Sequence, residues 1–321
     1  LLRSPYSSDL SAIKRTALGT VFAAKFSCLA IINGFMGTGH QVWLALIIGN
    51  SRWHWGAFES NADPQGEGHQ RWLGSWHTVH LSAAQVNTLY QGHFALSAWQ
   101  QLGVETDLPS NAENGSKWLG EHPEIWLASV VDAPLTWLAA YPNVHSIKTE
   151  QVPLQNTYAT LGVDRALALV GGADVWGWPV LVIDCGTALT FTAGVNQGLI
   201  GGAILPGLRS QFRALHTHTD RLPALEFNPE IWPQRWATNT AEAIASGILH
   251  TQLAGIRDFI QAWQTDWPQG AIVLTGGDSS AVYHAMKKQT PSLTQQVRVD
   301  PDLGFWGLRV CRQQLQRLET L

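Results

Sequence analysis

The sequence predicts an α/β protein made of two related halves, and two observations carry that reading. Short apolar runs at 43–48, 125–131, 180–183 and 271–274 are bounded by turn residues. They alternate with amphipathic stretches at 81–103 and 241–263 that place apolar residues three and four apart, the pattern of buried strands interleaved with helices. The second observation is an internal repeat. VLVIDCGTALTFTAG (180–194) aligns with WLALIIGNSRWHWGA (43–57) as strand, glycine turn, small polar residue and second strand, with Gly49 on Gly186, Asn50 on Thr187 and Ser51 on Ala188.

The N-terminal stretch ALGTVFAAKFSCLAIINGF (17–35) is apolar but interrupted by Lys25. It lacks the clean run of about 20 residues of a spanning helix and the clean core of a signal peptide. Residues 1–40 are therefore expected to be a non-native or poorly ordered extension, with a membrane-associating leader as the alternative. The first domain is expected over 41–150 and the second over 151–321, with linkers at 59–70 and 142–158. In the second half a turn at 196–198 leads to a third strand over 199–207, an antiparallel meander. The helix at 241–263 is announced by Asn239, three residues before Glu242, as in a capping box.

Composition narrows the function classes. With 321 residues, 45% hydrophobic and 14% charged, the chain can bury a large core. Its net charge of -4 provides no basic footprint for nucleic acid. Three widely spaced cysteines, Cys28, Cys185 and Cys311, fit neither a disulfide framework nor a zinc site, which points to a reducing, cytoplasmic setting; no membrane partner is expected. The histidine pairs His77/His80 and His216/His218 have no carboxylate or cysteine at ligand spacing and are read as ordinary core or surface residues. The 16 tryptophans are read as core or interface residues.

The turns carry the chemistry. Glycine lets the backbone approach an oxyanion, and Asn50, Ser51 and Thr187 offer amide and hydroxyl donors to phosphate oxygens. Two such loops, one per half, suit a nucleotide held between the halves. Asp184, ending a buried strand beside its loop, would repel phosphate without an intervening cation, so a metal ion is implied; the plainer alternative is a hairpin turn capped by Asp184. A further turn, Gly276-Gly277 followed by Asp278, could pack against a base or ribose. In TLGVDRALAL (160–169), Asp164 could take a proton from an alcohol while Arg165 binds an anion. The alternative there is a helix N-terminal acid with a surface arginine.

Taken together and in order, GNS (49–51), GVDR (162–165), DCGTALT (184–190), GGAILPGL (201–208), NTAEAIASG (239–247) and TGGD (275–278) resemble the motifs of type III pantothenate kinases, over residues 41–310. The resemblance implies a duplicated ribonuclease-H-like fold, shared with sugar kinases, acetate kinase and actin. It also implies transfer of the γ-phosphate of ATP to the 4′-hydroxyl of pantothenate, the first step towards coenzyme A. On matching positions it makes Asp164 the general base and Gly162, Val163, Asp164 and Arg165 the pantothenate pocket, with Thr240 and Tyr158 as further substrate contacts. Gly49, Asn50, Ser51, Arg52, Trp53 and His54 would hold the ATP phosphates, with Thr187, Gly276 and Gly277 also on the nucleotide. Asp184 would bind a monovalent cation, K+ or NH4+, beside Mg2+. A homodimer whose active sites draw on both subunits is implied as well.

Two positions depart from the family pattern: Ile47 stands where an aspartate usually precedes the first glycine, and Thr192 stands where a carboxylate commonly ends the second strand pair. Both are expected at strand ends, with magnesium held mainly through nucleotide and water. These departures leave open a non-catalytic nucleotide- or pantothenate-binding homologue, and a kinase of the same superfamily acting on a sugar or carboxylate.

Overall fold

Strict alternation sets the faces of the first strand. In β1 (Gln41–Ile48), Val42, Leu44, Leu46 and Ile48 enter one apolar cluster, while Trp43, Ala45 and Ile47 join another on the opposite face. A strand that is apolar on both sides must lie inside a sheet covered on both faces. The computed structural model describes residues 41–60, 70–106, 122–132, 138 and 141–319. The expected N-terminal extension and most of the 59–70 linker lie outside them.

The first sheet adds β2 (Trp53–Ser60), β3 (Gln70–Thr78), β4 (Glu124–Ser129) and β5 (Val144–Ser146), in the order β3-β2-β1-β4-β5. The second contains β6 (Val180–Cys185), β7 (Ala188–Val195), β8 (Gly198–Pro206), β9 (Ala271–Thr275) and β10 (Val297–Val299), in the order β8-β7-β6-β9-β10. In each, three antiparallel strands are followed by two that run parallel to the first. Equal order and equal direction in both sheets are the duplication: two ribonuclease-H-like halves, within one compact unit, His40–Leu321.

Of the two amphipathic stretches expected as helices, the first is broken in two. The amphipathic stretch 81–103 forms two helices, α1 (Ala83–Gln91) and α2 (Leu96–Gln101). Ser82 and Gln85 cap α1 reciprocally, and the chain then turns through His93 and Phe94, both at positive φ. A Cβ on Gly92 would lie 2.6 Å from that of Ala98, so the corner is drawn tight by glycine. The expected linker at 142–158 is also corrected: β5 and the 3-10 turn Thr149–Gln151 occupy part of it, and β5 is hydrogen-bonded into the first sheet.

Two helices pack between the sheets. α3 (Val163–Trp176) meets the last helix, here α8 (Leu303–Glu319), at a crossing where both carry glycine. A side chain on Gly171 would strike the Leu303 carbonyl, and one on Gly307 the Leu167 carbonyl. The backbones therefore touch. Farther along α8, buried Arg312 donates to Glu124 of the first sheet at 2.7 Å and lies 4.8 Å over the ring of Trp43. On the outer face of the second sheet lie α4 (Leu208–Thr217), α5 (Thr240–Asp266), α6 (Ser279–Gln289) and the short α7 (Pro291–Thr294). α5 starts as expected, with the Asn239 carboxamide oxygen accepting from the Glu242 N–H.

Many tryptophans build the first half. Trp53, Trp55 and Trp99 are fully buried in one aromatic cluster with Trp76 and Phe94, whereas Trp236 is 86% exposed. No helix among the described residues is long and apolar enough to cross a membrane.

Candidate active site

The second loop is the better braced of the two. After β6 the chain turns at Gly186 and Thr187, with the Gly186 N–H donating to the Ala188 carbonyl at 3.1 Å. Two groups hold the turn, the Gly207 N–H and the Ser210 hydroxyl, which both donate to the Thr187 carbonyl, and a Cβ on Gly207 would strike the Gly186 carbonyl. Gly276, at φ 85°, passes so close to the Asp184 carboxylate and the Cys185 backbone that a Cβ would overlap them. The next turn closes when the Asp278 N–H donates to the Cys185 carbonyl, and the Asp278 carboxylate accepts from Arg209 Nε at 3.2 Å. α4 and α6 thus both begin beside this turn, where their unpaired N–H groups favour an anion. Ser210, Arg209 and Asp278 were given no role from the sequence; only Asp278 carried a signal, its place behind two glycines.

The first loop is one residue longer. The Gly49 N–H donates to the Arg52 carbonyl, three residues on, and the ladder pairs Ile47 with His54 where the second pairs Asp184 with Thr190. The extra residue changes the alignment: Ser51, rather than Asn50, is the counterpart of Thr187. The two hydroxyls meet, Ser51 Oγ to Thr187 Oγ1 at 2.8 Å, joining the loops of the two halves. Asn50, Ser51 and Arg52 are exposed. Trp53, grouped with them from the sequence, is instead fully buried, so its side chain is closed to a nucleotide. Ile47 is turned to the start of α8, and a Cβ on Gly304 would lie 2.6 Å from its Cδ1.

Two interacting carboxylates stand beside the second loop, Asp184 directly at it and Asp164 next to Asp184. Asp164 lies in the first turn of α3, where Gly162 occupies the N-cap. Its Oδ1 accepts from the Arg165 N–H at 2.8 Å. Any side chain on Gly162 would meet that oxygen, which is why glycine precedes the acid. Burial raises the Asp164 pKa, against the smaller opposing pull of Arg165. Burial, and then the charge on Asp164, push Asp184 up to about 7. Asp184 takes part in no hydrogen bond or ion pair among the described residues. No group of three or more His, Cys, Asp or Glu side chains gathers there or elsewhere among them.

Arg165 is placed differently from expectation. Its guanidinium is buried and donates to Tyr158 Oη at 2.8 Å, Thr192 Oγ1 at 3.0 Å and the Phe191 carbonyl at 3.2 Å. It holds the half-exposed Tyr158 ring beside α3. Thr192 is likewise not at a strand end: it is buried in the middle of β7, opposite Val182 and Gly202, with its hydroxyl engaged by Arg165. Val163 packs its side chain into the core. Thr240 is exposed at the first position of α5 and shares no hydrogen bond with this group among the described residues.

His54 completes the first loop. Its ring faces His77, Nδ1 to Nδ1 at 3.0 Å, and its pKa falls to about 4 through burial, then His77, then Arg52. The unfolded chain therefore binds a proton below pH 6.5 that the folded chain refuses until about pH 4. Stability is expected to fall as pH drops through that window, by at most about 1.4 kcal/mol per pH unit from this group. Thermal melts from pH 7 to 4 should show the slope in the native protein and a shallower one in His54→Gln.

A family model for type III pantothenate kinase matches residues 43–262. A Nostoc sp. protein described as a type III pantothenate kinase is 39% identical over 277 residues, covering 83% of this chain and 93% of its own length. A Gloeobacter violaceus relative of the same description is 37% identical, covering 84% and 97%. A third, from Synechococcus sp., reaches 49% over 195 residues, 60% of this chain and 78% of its own. Among solved structures, a Campylobacter jejuni protein assigned to the Baf family of transcriptional activators has TM-score 0.52 at 17% identity, covering 85% of this chain and 99% of its own; the likeness is one of fold.

Proposed function

The chain belongs to the type III pantothenate kinase family and so phosphorylates pantothenate with ATP on the way to coenzyme A, and we propose how its residues divide that work. Asp164 is the general base. It accepts the proton of the 4′-hydroxyl as that oxygen bonds to the γ-phosphorus; the bond from this phosphorus to the β,γ-bridging oxygen breaks, and ADP leaves with the electron pair. Little covalent work falls to the protein in phosphoryl transfer, so positioning and charge stabilisation dominate. The raised pKa of Asp164 suits it to take a proton.

The phosphates lie along Gly49–Ser51 and Gly186–Thr187, against exposed donors and two helix starts, with Gly276 and Gly277 walling the second loop. Arg165 serves by fixing Tyr158 and the β7 backbone at the pocket edge. Thr240, exposed at its helix start, is available to substrate. The observation that carries this division of work is a pair of desolvated, interacting carboxylates, one of them unpartnered and beside the second of two glycine loops whose hydroxyls touch.

The same unpartnered carboxylate is the fit for a monovalent cation: Asp184 would hold potassium or ammonium, and that charge, with magnesium carried on the nucleotide, would offset the phosphates. An ADP-release assay with pantothenate, with and without potassium, tests the reading. The native protein should require pantothenate and respond to potassium, whereas Asp184→Asn should lose the potassium response. A native protein indifferent to potassium would remove Asp184 from this role. No turnover under either condition would point to a non-catalytic binding protein.

The homodimer is in keeping with the exposed Ile200 and Ile204 on β8, the edge strand of the second sheet, since such apolar surface is commonly covered by a partner. Light scattering of the purified protein would measure it. A cytoplasmic setting is in keeping with Cys185 and Cys311, both free and buried.

A further inference from the structure

We propose that His54 and His77 form a phosphate-positioning pair in the first loop, in which His77 fixes the ring of His54 and His54 presents its Nε2–H to the terminal phosphate oxygens of ATP. The inference rests on the reading of the loops given above: it gives the ring of His54, already expected on the phosphate loop, a defined contact, and adds His77 as the residue that positions it.

The register places the pair. His54 lies directly opposite Ile47 in the ladder, so the two side chains share one face of the sheet. In the second half the corresponding face carries Asp184 opposite Thr190. The departure at residue 47 is thus accompanied, one strand over, by an imidazole. Its outer nitrogen is turned to the loop: a Cβ on Gly49 would have His54 Nε2 as a neighbour at 3.9 Å. Arg52, exposed on the same loop, adds a positive charge to that side. With an isoleucine at position 47, no carboxylate opposite His54 competes for its donor, and a loop without any carboxylate from 47 to 54 suits direct contact with an anion.

The tautomer follows from the ring contact. Two ring nitrogens 3.0 Å apart bond only if one carries the hydrogen and the other does not. Burial keeps His54 neutral near pH 7. If His77 donates, the hydrogen of His54 sits on Nε2 and points to the loop. The reverse arrangement would leave a lone pair there, facing phosphate oxygens that repel it. A bound phosphate therefore selects the first arrangement, and His77 is what holds the ring in it, as second partners do for histidines at other charged sites.

Calorimetric binding of the imido analogue of ATP, with magnesium, to the full chain tests the pair. His54→Ala is expected to weaken binding about ten- to a hundredfold, the range for one hydrogen bond to a charged group. His54→Gln, whose amide can reach where Nε2–H sat, should recover most of it. His77→Ala should weaken binding less, and His77→Asn, which can donate to His54 Nδ1, should restore it. Pantothenate affinity should stay unchanged in all four. Long-range proton–nitrogen NMR of the histidine rings in the unaltered protein should show His54 as the Nε2–H tautomer when the analogue is bound.

Native affinity in His54→Ala, parallel loss of pantothenate affinity, or an Nδ1–H tautomer in the bound state would each overturn the proposal. Native protein that binds the analogue yet releases no ADP with pantothenate would instead overturn the assigned reaction, and leaves the histidine result to be read separately.

Discussion

Asp164→Asn is expected to lower kcat by about two to four orders of magnitude, the usual share of a positioned general base, while leaving the KM for ATP close to that of the native enzyme. Asparagine keeps the volume of the side chain and can still accept from the Arg165 N–H, so the first turn of α3 should survive. What it lacks is a site for the proton. The change also removes a negative charge that helps to raise Asp184, so the Asp184 pKa should move down from about 7. Cation binding in the variant should then persist to lower pH. Steady-state kinetics of ADP release, with potassium titrated at pH 6 and pH 8, measure both effects. Turnover near the native rate would take Asp164 out of the mechanism. Loss of ATP binding along with turnover would mean that the substitution had disturbed the loops rather than the proton transfer.

The strands at 43–48, 125–131, 180–183, 199–207 and 271–274 were legible in the sequence because apolar runs stopped by turn residues such as Gly49, Gly186 and Gly276 announce both their length and their end, whereas β3, with polar residues along it, and the three-residue β5 and β10 were not. The duplication was legible too, since a strand-turn-strand unit repeats with its glycine in place. A one-residue difference in loop length was not. Gly49 and Gly186 each donate to a carbonyl across the turn, but three residues on in one and two in the other, and only the ladder shows the slip. It moved the match of Thr187 from Asn50 to Ser51.

Side-chain direction was equally hidden. Arg165 reads as a pocket arginine by its neighbours, yet Tyr158, Thr192 and the Phe191 carbonyl, 7 to 27 residues away in sequence, draw it inward. Thr192 reads as a replaced carboxylate until its register opposite Val182 places it in mid-strand. Trp53 follows the same rule: one step along a strand reverses the face, and here that face is the core. The two-helix corner at Gly92 escaped because apolar spacing runs on through a turn that is decided by φ at His93 and Phe94.

Gly171→Val should cost the protein at least about 3 kcal/mol, at the upper end of overpacking, and slow catalysis as well. The argument starts from a contact rather than a propensity. Valine at 171 would meet the Leu303 carbonyl and lie close to the Gly307 N–H, both backbone groups that no rotamer can move aside. The helices must separate, and α3 carries Asp164 in its first turn. A shift of α3 relative to the loops should therefore lower kcat in the fraction that remains folded. α5 supplies the control within the same molecule. A Cβ on Gly247 or Gly255 would meet nothing within 4 Å, so alanine there faces no clash. Gly255→Ala should then gain about 0.5–1 kcal/mol from helix propensity alone. Denaturant melts of the two variants should thus move in opposite directions from the native protein. If Gly171→Val melted with the native protein, the backbone contact between α3 and α8 would not be what sets the distance between the catalytic base and the phosphate loops.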